Sequence, residues 1–186
     1  MRWRVRLDGY RATGFDRGRP AWVEALWQLT QLLLVTSPLS VTAVRVLALR
    51  AFGARVGHRV TIKPGVRVKF PWRLQVGDYC WIGEDVWLDN LAQIRIGHHC
   101  CLSQGAYLCT GSHDWSRERF DLVVKPILLE EGGWIAARSV VGPGVTARRG
   151  AVLGLGSVAT RDLLAWHVHQ GLPAKPVKAR CIAPEQ

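Results

Sequence analysis

The residues best suited to chemistry lie in one short string, Thr110-Gly111-Ser112-His113-Asp114, where a regular repeat is interrupted. A neutral imidazole can take a proton from a hydroxyl within hydrogen-bond reach near neutral pH, which makes His113 the candidate general base. Asp114, the adjacent carboxylate, could orient His113 or bind an acceptor; a backbone carbonyl or a carboxylate from elsewhere could orient the ring equally well. Cys109 is near enough in sequence to be considered as a nucleophile, against a plain reading as a small buried residue. Upstream of the break, Asp89 and Asn90 form a second polar pair, of types that also tolerate left-handed corners. His98, His99, Cys100 and Cys101 look like metal ligands at first sight. In the repeat register the two histidines fall on a corner and Cys100 points inward, so they do not converge and no metal is expected.

The element that must position these residues is a six-residue repeat. Val56, Ile62 and Val68 are six apart, and after a slip at Leu74 the count restarts with Val76, Ile82 and Leu88. A second slip at Ile94 leads to Ile96, Leu102 and Leu108, and beyond the break the series resumes as Leu129, Ile135, Val141, Ala147, Leu153 and Ala159. Glycine often follows the aliphatic residue, as at Gly57, Gly77, Gly83 and Gly97, and a small or β-branched residue often sits four after it. Such a pattern specifies a solenoid of short parallel strands, with one inward aliphatic per flat side and glycine where the backbone must bend without a clash. Stacked coils bury the aliphatics in continuous columns. With three hexads per turn, about three coils precede the break and about two follow it.

Residues 1–52 do not share the repeat. An arginine-rich and glycine-rich arm (Arg2, Arg4, Arg6, Arg11, Arg17, Arg19) leads into a helical pattern from Ala21 to Thr36, with Trp22, Leu26, Leu29 and Leu33 at spacings of three and four. Ser37 and Pro38 read as an N-cap and first-turn proline of a second helix running through Val44 and Leu47 towards Phe52. The helices are expected to pack on their own domain or a neighbouring subunit, or to lie on a membrane surface. The organisation read from the sequence is therefore 1–52 as arm and helices, 53–164 as solenoid with a loop at 111–126, and 165–186 as a short tail.

The chain has 186 residues, of which 48% are hydrophobic and 21% charged, which excludes a disordered chain and suits one domain. A net charge of +11 points to an anionic neighbour: nucleic acid, an acidic membrane or a phosphorylated ligand. No nucleic-acid motif or aromatic-basic interleaving is present, so nucleic acid is not expected. Five cysteines without C-x-x-C spacing, and an N-terminus without a signal-peptide core, imply free thiols and a cytoplasmic protein.

The repeats resemble the hexapeptide-repeat acyltransferases over residues 53–180, and the stretch from Trp81 to Trp115 looks closest to the colanic acid biosynthesis acetyltransferases. The resemblance implies an all-β, left-handed parallel β-helix, an exception to right-handed crossovers. It implies a homotrimer with active sites between neighbouring β-helices. It implies O-acetyl transfer from acetyl-CoA to a saccharide of exopolysaccharide or a related glycan, free or lipid-linked, with His113 matching the family's catalytic histidine and no acyl-enzyme. Asp89 and Asn90 stand near an asparagine that contacts the acceptor in related sugar acetyltransferases. The donor residues implied are Trp134, Ala136, Gly154 and Gly156 of the late coils, with Lys175, Lys178 and Arg180 for phosphates. Leu172 replaces the asparagine usual in the tail's G-N-P-A-K/R element. The zinc-binding carbonic anhydrases that share the fold use three histidines, and His58, His98, His113, His167 and His169 lack that spacing. The alternative is a non-enzymatic β-solenoid that binds a partner or a membrane through its basic arm and helices.

Overall fold

In the computed structural model of the chain, residues 5–10 and 14–183 are described; Arg2, Arg4 and Arg11 of the basic arm lie outside them. Each hexad forms one strand of two or three residues, and three strands make a triangular coil. The first face carries Arg55–Val56, Leu74–Val76, Ile94–Ile96, Ile127–Leu129 and Thr146–Ala147; the second carries Thr61–Ile62, Trp81–Ile82, Cys101–Leu102, Trp134–Ile135 and Val152–Leu153. The third carries Arg67–Val68, Trp87–Asp89, Tyr107–Cys109, Val140–Val141 and Val158–Ala159.

Strands stack in parallel and in register, so Val56, Val76, Ile96, Leu129 and Ala147 form one column. Ile96 meets Leu129 directly, and the interruption leaves the column intact. Every aliphatic of the series is 8% exposed or less. Five full coils are followed by part of a sixth, in which Leu163 bridges Ala147 and His167–Gly171 pairs with Val152–Leu153. Sequence reading stopped at the fifth because Ala159 to Leu163 breaks the six-residue count.

The glycines after the aliphatics have a different reason from the one expected. The left-handed corner residue comes two positions later, at Arg59, Tyr79, Asp85 and His99. Gly77 and Gly97 have no positive φ; a Cβ on either would lie 2.8 Å from backbone of the next coil. Glycine is required there by close stacking, not by the bend.

Two helices close the N-terminal end of the solenoid. Helix α1 is Ala21–Thr30, extended by a wider π turn over Gln31–Val35, and α2 is Thr42–Ala51. The first coil's strands have no neighbour on this side, and exposed strand ends must be covered or paired. The Trp27 indole donates to the Val68 carbonyl (2.8 Å), and the Gln31 side-chain oxygen accepts from the Val68 amide. Arg45, 3% exposed, donates to the carbonyls of Val35, Ser37 and Ile62, while Arg50 donates to that of Val56. One terminal strand of each face is thus held by side chains of the helical cap.

One expectation for this segment is corrected. Ser37 and Pro38 form a turn, with the Ser37 hydroxyl accepting from the Leu39 amide (3.3 Å), and α2 starts at Thr42 without a side-chain cap. The stripe Trp22, Leu26, Leu29 and Leu33 faces outward, and the helix buries Trp27, Gln31 and Val35 instead. Hydrogen bonds to the terminal strand decide this orientation over apolar periodicity.

The C-terminal tail folds as an antiparallel hairpin, His167–Gly171 with Ala174–Ala179, which widens the second face. His169 points into the last coil at 2% exposure; its Nε2 accepts from the Leu164 amide (3.1 Å) and its Nδ1 has no partner. Burial holds its pKa below the ordinary 6.5. The unfolded chain takes up this proton near its ordinary pKa while the folded chain resists it, so this contribution to stability is full above that pH and is lost on acidification. Thermal unfolding from about pH 7.5 to about pH 5 is expected to show that loss, more shallowly in His169→Leu. An equal slope in both proteins would exclude His169 as its origin.

Candidate active site

The interruption is a β-hairpin standing on the corner between the third and first faces. Gly111–His113 pairs antiparallel with Leu122–Val124, and His113 lies opposite Leu122. Its base is fixed by Thr110, which is fully buried. The Thr110 hydroxyl donates to the Asp89 carbonyl (2.9 Å) and accepts from the Ala92 amide (2.9 Å), tying the hairpin to the preceding coil. A Cβ on Gly111 would lie 2.7 Å from Leu91, so the first strand presses on that same corner.

His113 is half-buried and clamped. Its Nδ1 lies 2.8 Å from the Phe120 carbonyl, its ring stacks on Phe120 at 4.4 Å, and the Tyr10 ring approaches at 5.5 Å. A carbonyl can only accept, so Nδ1 carries the proton and Nε2 is left with its lone pair. The orienting group is this backbone carbonyl. Asp114 does not orient His113: its carboxylate accepts from the amide and hydroxyl of Ser116 and pairs with Arg117 at 3.2 Å. The Ser116 hydrogen bonds, followed by Arg117, hold the Asp114 pKa below the usual carboxylate range. It shapes the hairpin tip.

Asn90 is corrected as well. It is fully buried, its Oδ1 accepting from the Phe70 amide (2.8 Å) and its Nδ2 donating to the Phe70 carbonyl (2.6 Å). Held in this backbone clamp and shut off from solvent, it presents no group to an acceptor. Asn90→Ala is expected to destabilise the fold by about 2–4 kcal/mol, because both Phe70 groups stay buried without partners. Denaturant unfolding checks this; unchanged stability would show the clamp to be dispensable. Asp89, by contrast, is half-buried on the outer side of the third face, accepting from the Tyr107 hydroxyl at 3.2 Å and near Cys109 Sγ at 3.9 Å. Burial, then Cys109 and Asp89, push the Tyr107 pKa well above its ordinary value. Cys109 Sγ lies 3.1 Å from the Gly111 carbonyl, at the foot of the hairpin.

A groove of about 830 Å³ runs along the second face. Of the expected donor residues, Trp134, Ala136, Gly154, Lys178 and Arg180 line it, whereas Gly156 occupies a left-handed turn beside it and Lys175 lies on the hairpin outside it. Ser103 and Gln170 also line it and were not anticipated. Ser103 follows Leu102 as Ala136 follows Ile135 and Gly154 follows Leu153, so the repeat register was the signal that could have found it. Ser103 Oγ accepts from the Trp134 indole (2.9 Å). Arg180 donates to the carbonyls of Gly132 (2.7 Å) and Gly150 (3.0 Å), pinning the second hairpin strand across two coils.

The two halves of the site are far apart in topology. Each coil runs first face, second face, third face, so the corner carrying His113 is the edge opposite the grooved face. Among the described residues, no group of three or more His, Cys, Asp or Glu could hold a metal ion. His98 Nδ1 instead accepts from the Asp78 amide, His99 stacks on Tyr79 at 5.0 Å, and Cys100 Sγ faces the Glu130 carbonyl.

No family model matches the chain. Escherichia coli WcaF, named as a colanic acid biosynthesis acetyltransferase, is 40% identical over 167 residues, covering 90% of this chain and 92% of that protein. The galactoside O-acetyltransferase of Escherichia coli is 23% identical, covering 67% of this chain and 63% of its own. Among solved structures, a hexapeptide-repeat acetyltransferase from Vibrio cholerae, complexed with acetyl-coenzyme A, superimposes with a TM-score of 0.81 at 23% identity, over 94% of this chain and 97% of that one. With parallel in-register coils, a helical cap and this extent of identity, the chain belongs to the hexapeptide-repeat acetyltransferases of left-handed β-helix fold, in the family of WcaF.

Proposed function

We propose that the protein transfers an acetyl group from acetyl-CoA to a sugar hydroxyl of an exopolysaccharide or related glycan, with His113 as general base. The observation that carries this reading is the His113 clamp, in which Nδ1 meets the Phe120 carbonyl on a paired hairpin and the Nε2 lone pair is left for a hydroxyl. In the proposed step Nε2 takes the hydroxyl proton, the oxygen attacks the thioester carbonyl, and a backbone amide stabilises the oxyanion. The C–S bond then breaks and the CoA sulfur leaves with the proton held by the imidazolium. No acyl-enzyme forms, and Cys109 keeps a packing role at the hairpin foot.

Acetyl-CoA is assigned to the groove of the second face, a proposal supported by the acetyl-coenzyme A complex of the Vibrio cholerae neighbour and by Lys178 and Arg180 on the wall. Asp89, on the outer side of the third face near the hairpin foot, is the remaining candidate for the acceptor. Because the His113 edge is opposite the groove, the site closes between copies, His113 of one beside the groove of the next, in a cyclic trimer. The acceptor is a saccharide, whether free, nucleotide-linked or lipid-linked. Release of free CoA thiol from acetyl-CoA, measured with a panel of free, nucleotide-linked and lipid-linked saccharides, tests this reading. Acceptor-dependent release is expected; acetyl-CoA binding without release on any acceptor would leave a binding solenoid.

A further inference from the structure

From Pro20 to Arg50 the helical cap carries only two ionisable groups before its last residue, Glu24 and Arg45. Neither adds free charge to the outer surface. Glu24 pairs with Arg17 at 2.7 Å, and Arg45 is buried on three carbonyls. What the cap shows to solvent is largely apolar: Trp22 (69% exposed), Leu29 (53%), Leu33 (59%), Leu39 (92%) and Leu47 (69%) are all exposed. Contiguous apolar patches of this kind are rare on soluble monomers and mark interaction surfaces.

The rim of this face is basic. Arg19 precedes α1, Arg50 stands in the last turn of α2 and Arg59 lies beyond it. A cleft of about 610 Å³ between α2 and the first coil is lined by Leu47, Val46, Arg50, His58 and Arg59, so an apolar wall that continues the exposed face meets cationic groups. Each helix has 10 residues and a turn separates them, far short of the roughly 20 needed to cross a bilayer. Among the described residues no helix is long and apolar enough to span. A second copy seated face to face would bring the same arginines together; an anionic surface would neutralise them.

We infer that the outer face of the helical cap is a docking surface for an anionic phospholipid bilayer, with its leucines among the acyl chains and the Arg50–Arg59 cleft at the headgroup phosphates. This orientation explains why the most regular apolar stripe of α1 is turned away from the protein's own core. It stands on the cap alone and is independent of the transfer reaction.

The test is flotation of the full-length protein with vesicles of phosphatidylcholine alone and of phosphatidylcholine with phosphatidylglycerol, with thiol release on a soluble acceptor measured in parallel without vesicles. The wild type is expected to float only with anionic vesicles, and less as salt is raised. Leu33→Gln/Leu39→Gln, both at exposed positions, is expected to abolish flotation, and Arg59→Glu to lower bound protein on the order of tenfold. Thiol release is expected to be equal in all three proteins, which separates this surface from the transfer site. No flotation of the wild type, or flotation of the leucine variant equal to it, overturns the proposal. So does sedimentation showing a larger wild-type assembly that the leucine variant breaks, which assigns the face to a second copy.

Discussion

Replacement of His113 by alanine is expected to slow acetyl transfer about a thousandfold, near 4 kcal/mol of transition-state stabilisation. The magnitude follows from what the ring does in this setting. The hydroxyl of a sugar is a poor nucleophile while it keeps its proton, and the Phe120 carbonyl, by accepting a hydrogen bond from Nδ1–H, leaves the Nε2 lone pair to accept the hydroxyl proton. Acetyl-CoA binding, read by calorimetry, is expected to be unchanged, because no groove residue belongs to the hairpin. His113→Gln sharpens the test. Its amide can still donate to the Phe120 carbonyl and hold the hairpin, yet it accepts no proton at neutral pH, so it should be as slow as alanine. Turnover retained in His113→Gln would make His113 a positioning residue; turnover retained in both variants would remove it from the mechanism.

How much of this was legible in the sequence depends on whether a residue's role is set by its own register or by what packs against it. The columns of aliphatics were legible because each strand repeats one rule, and the break was legible because the rule stops at Cys109 and resumes at Ile127. That the break is a hairpin riveted by Thr110 was not, since the rivet is made to Asp89 and Ala92 of the preceding coil. Asn90 and Asp89 are neighbours in sequence and opposite in fate: alternation along the strand sends one inward to Phe70 and leaves the other on the outer side. The α1 stripe was read correctly as apolar and given no outward direction, because the helix is fixed by two hydrogen bonds to Val68 that no periodicity encodes. The groove was half legible. Its floor follows from small residues after the aliphatics, but the C-terminal hairpin carries Lys175 outside it and the left-handed turn at Gly156 lies beside it.

Two inactive variants are expected to restore activity to each other. His113→Ala removes the base from the corner edge, and Ala137→Trp fills the groove at a half-exposed position on the opposite side of the same coil system. Either protein alone has no complete site. If sites form inside one chain, mixtures of the two remain inactive, since every chain carries one defect. If each site takes His113 from one copy and the groove from the next around a closed ring, a co-assembled site is intact when an Ala137→Trp copy supplies the histidine and a His113→Ala copy supplies the groove. A mixed ring of three, whichever variant is in the majority, has one junction of that kind among its three, so co-expressed, differently tagged chains purified on both tags should regain about a third of wild-type turnover. The argument rests on the geometry of a three-sided coil. An edge and the face opposite it cannot meet within one prism, whatever the side chains do, but the edge of one prism can rest in the groove of another. Recovery on co-assembly and none on mixing preassembled variants would locate the chemistry between copies; absence of recovery in verified mixed assemblies would require the groove and His113 to meet within one chain, and would move the donor off the second face.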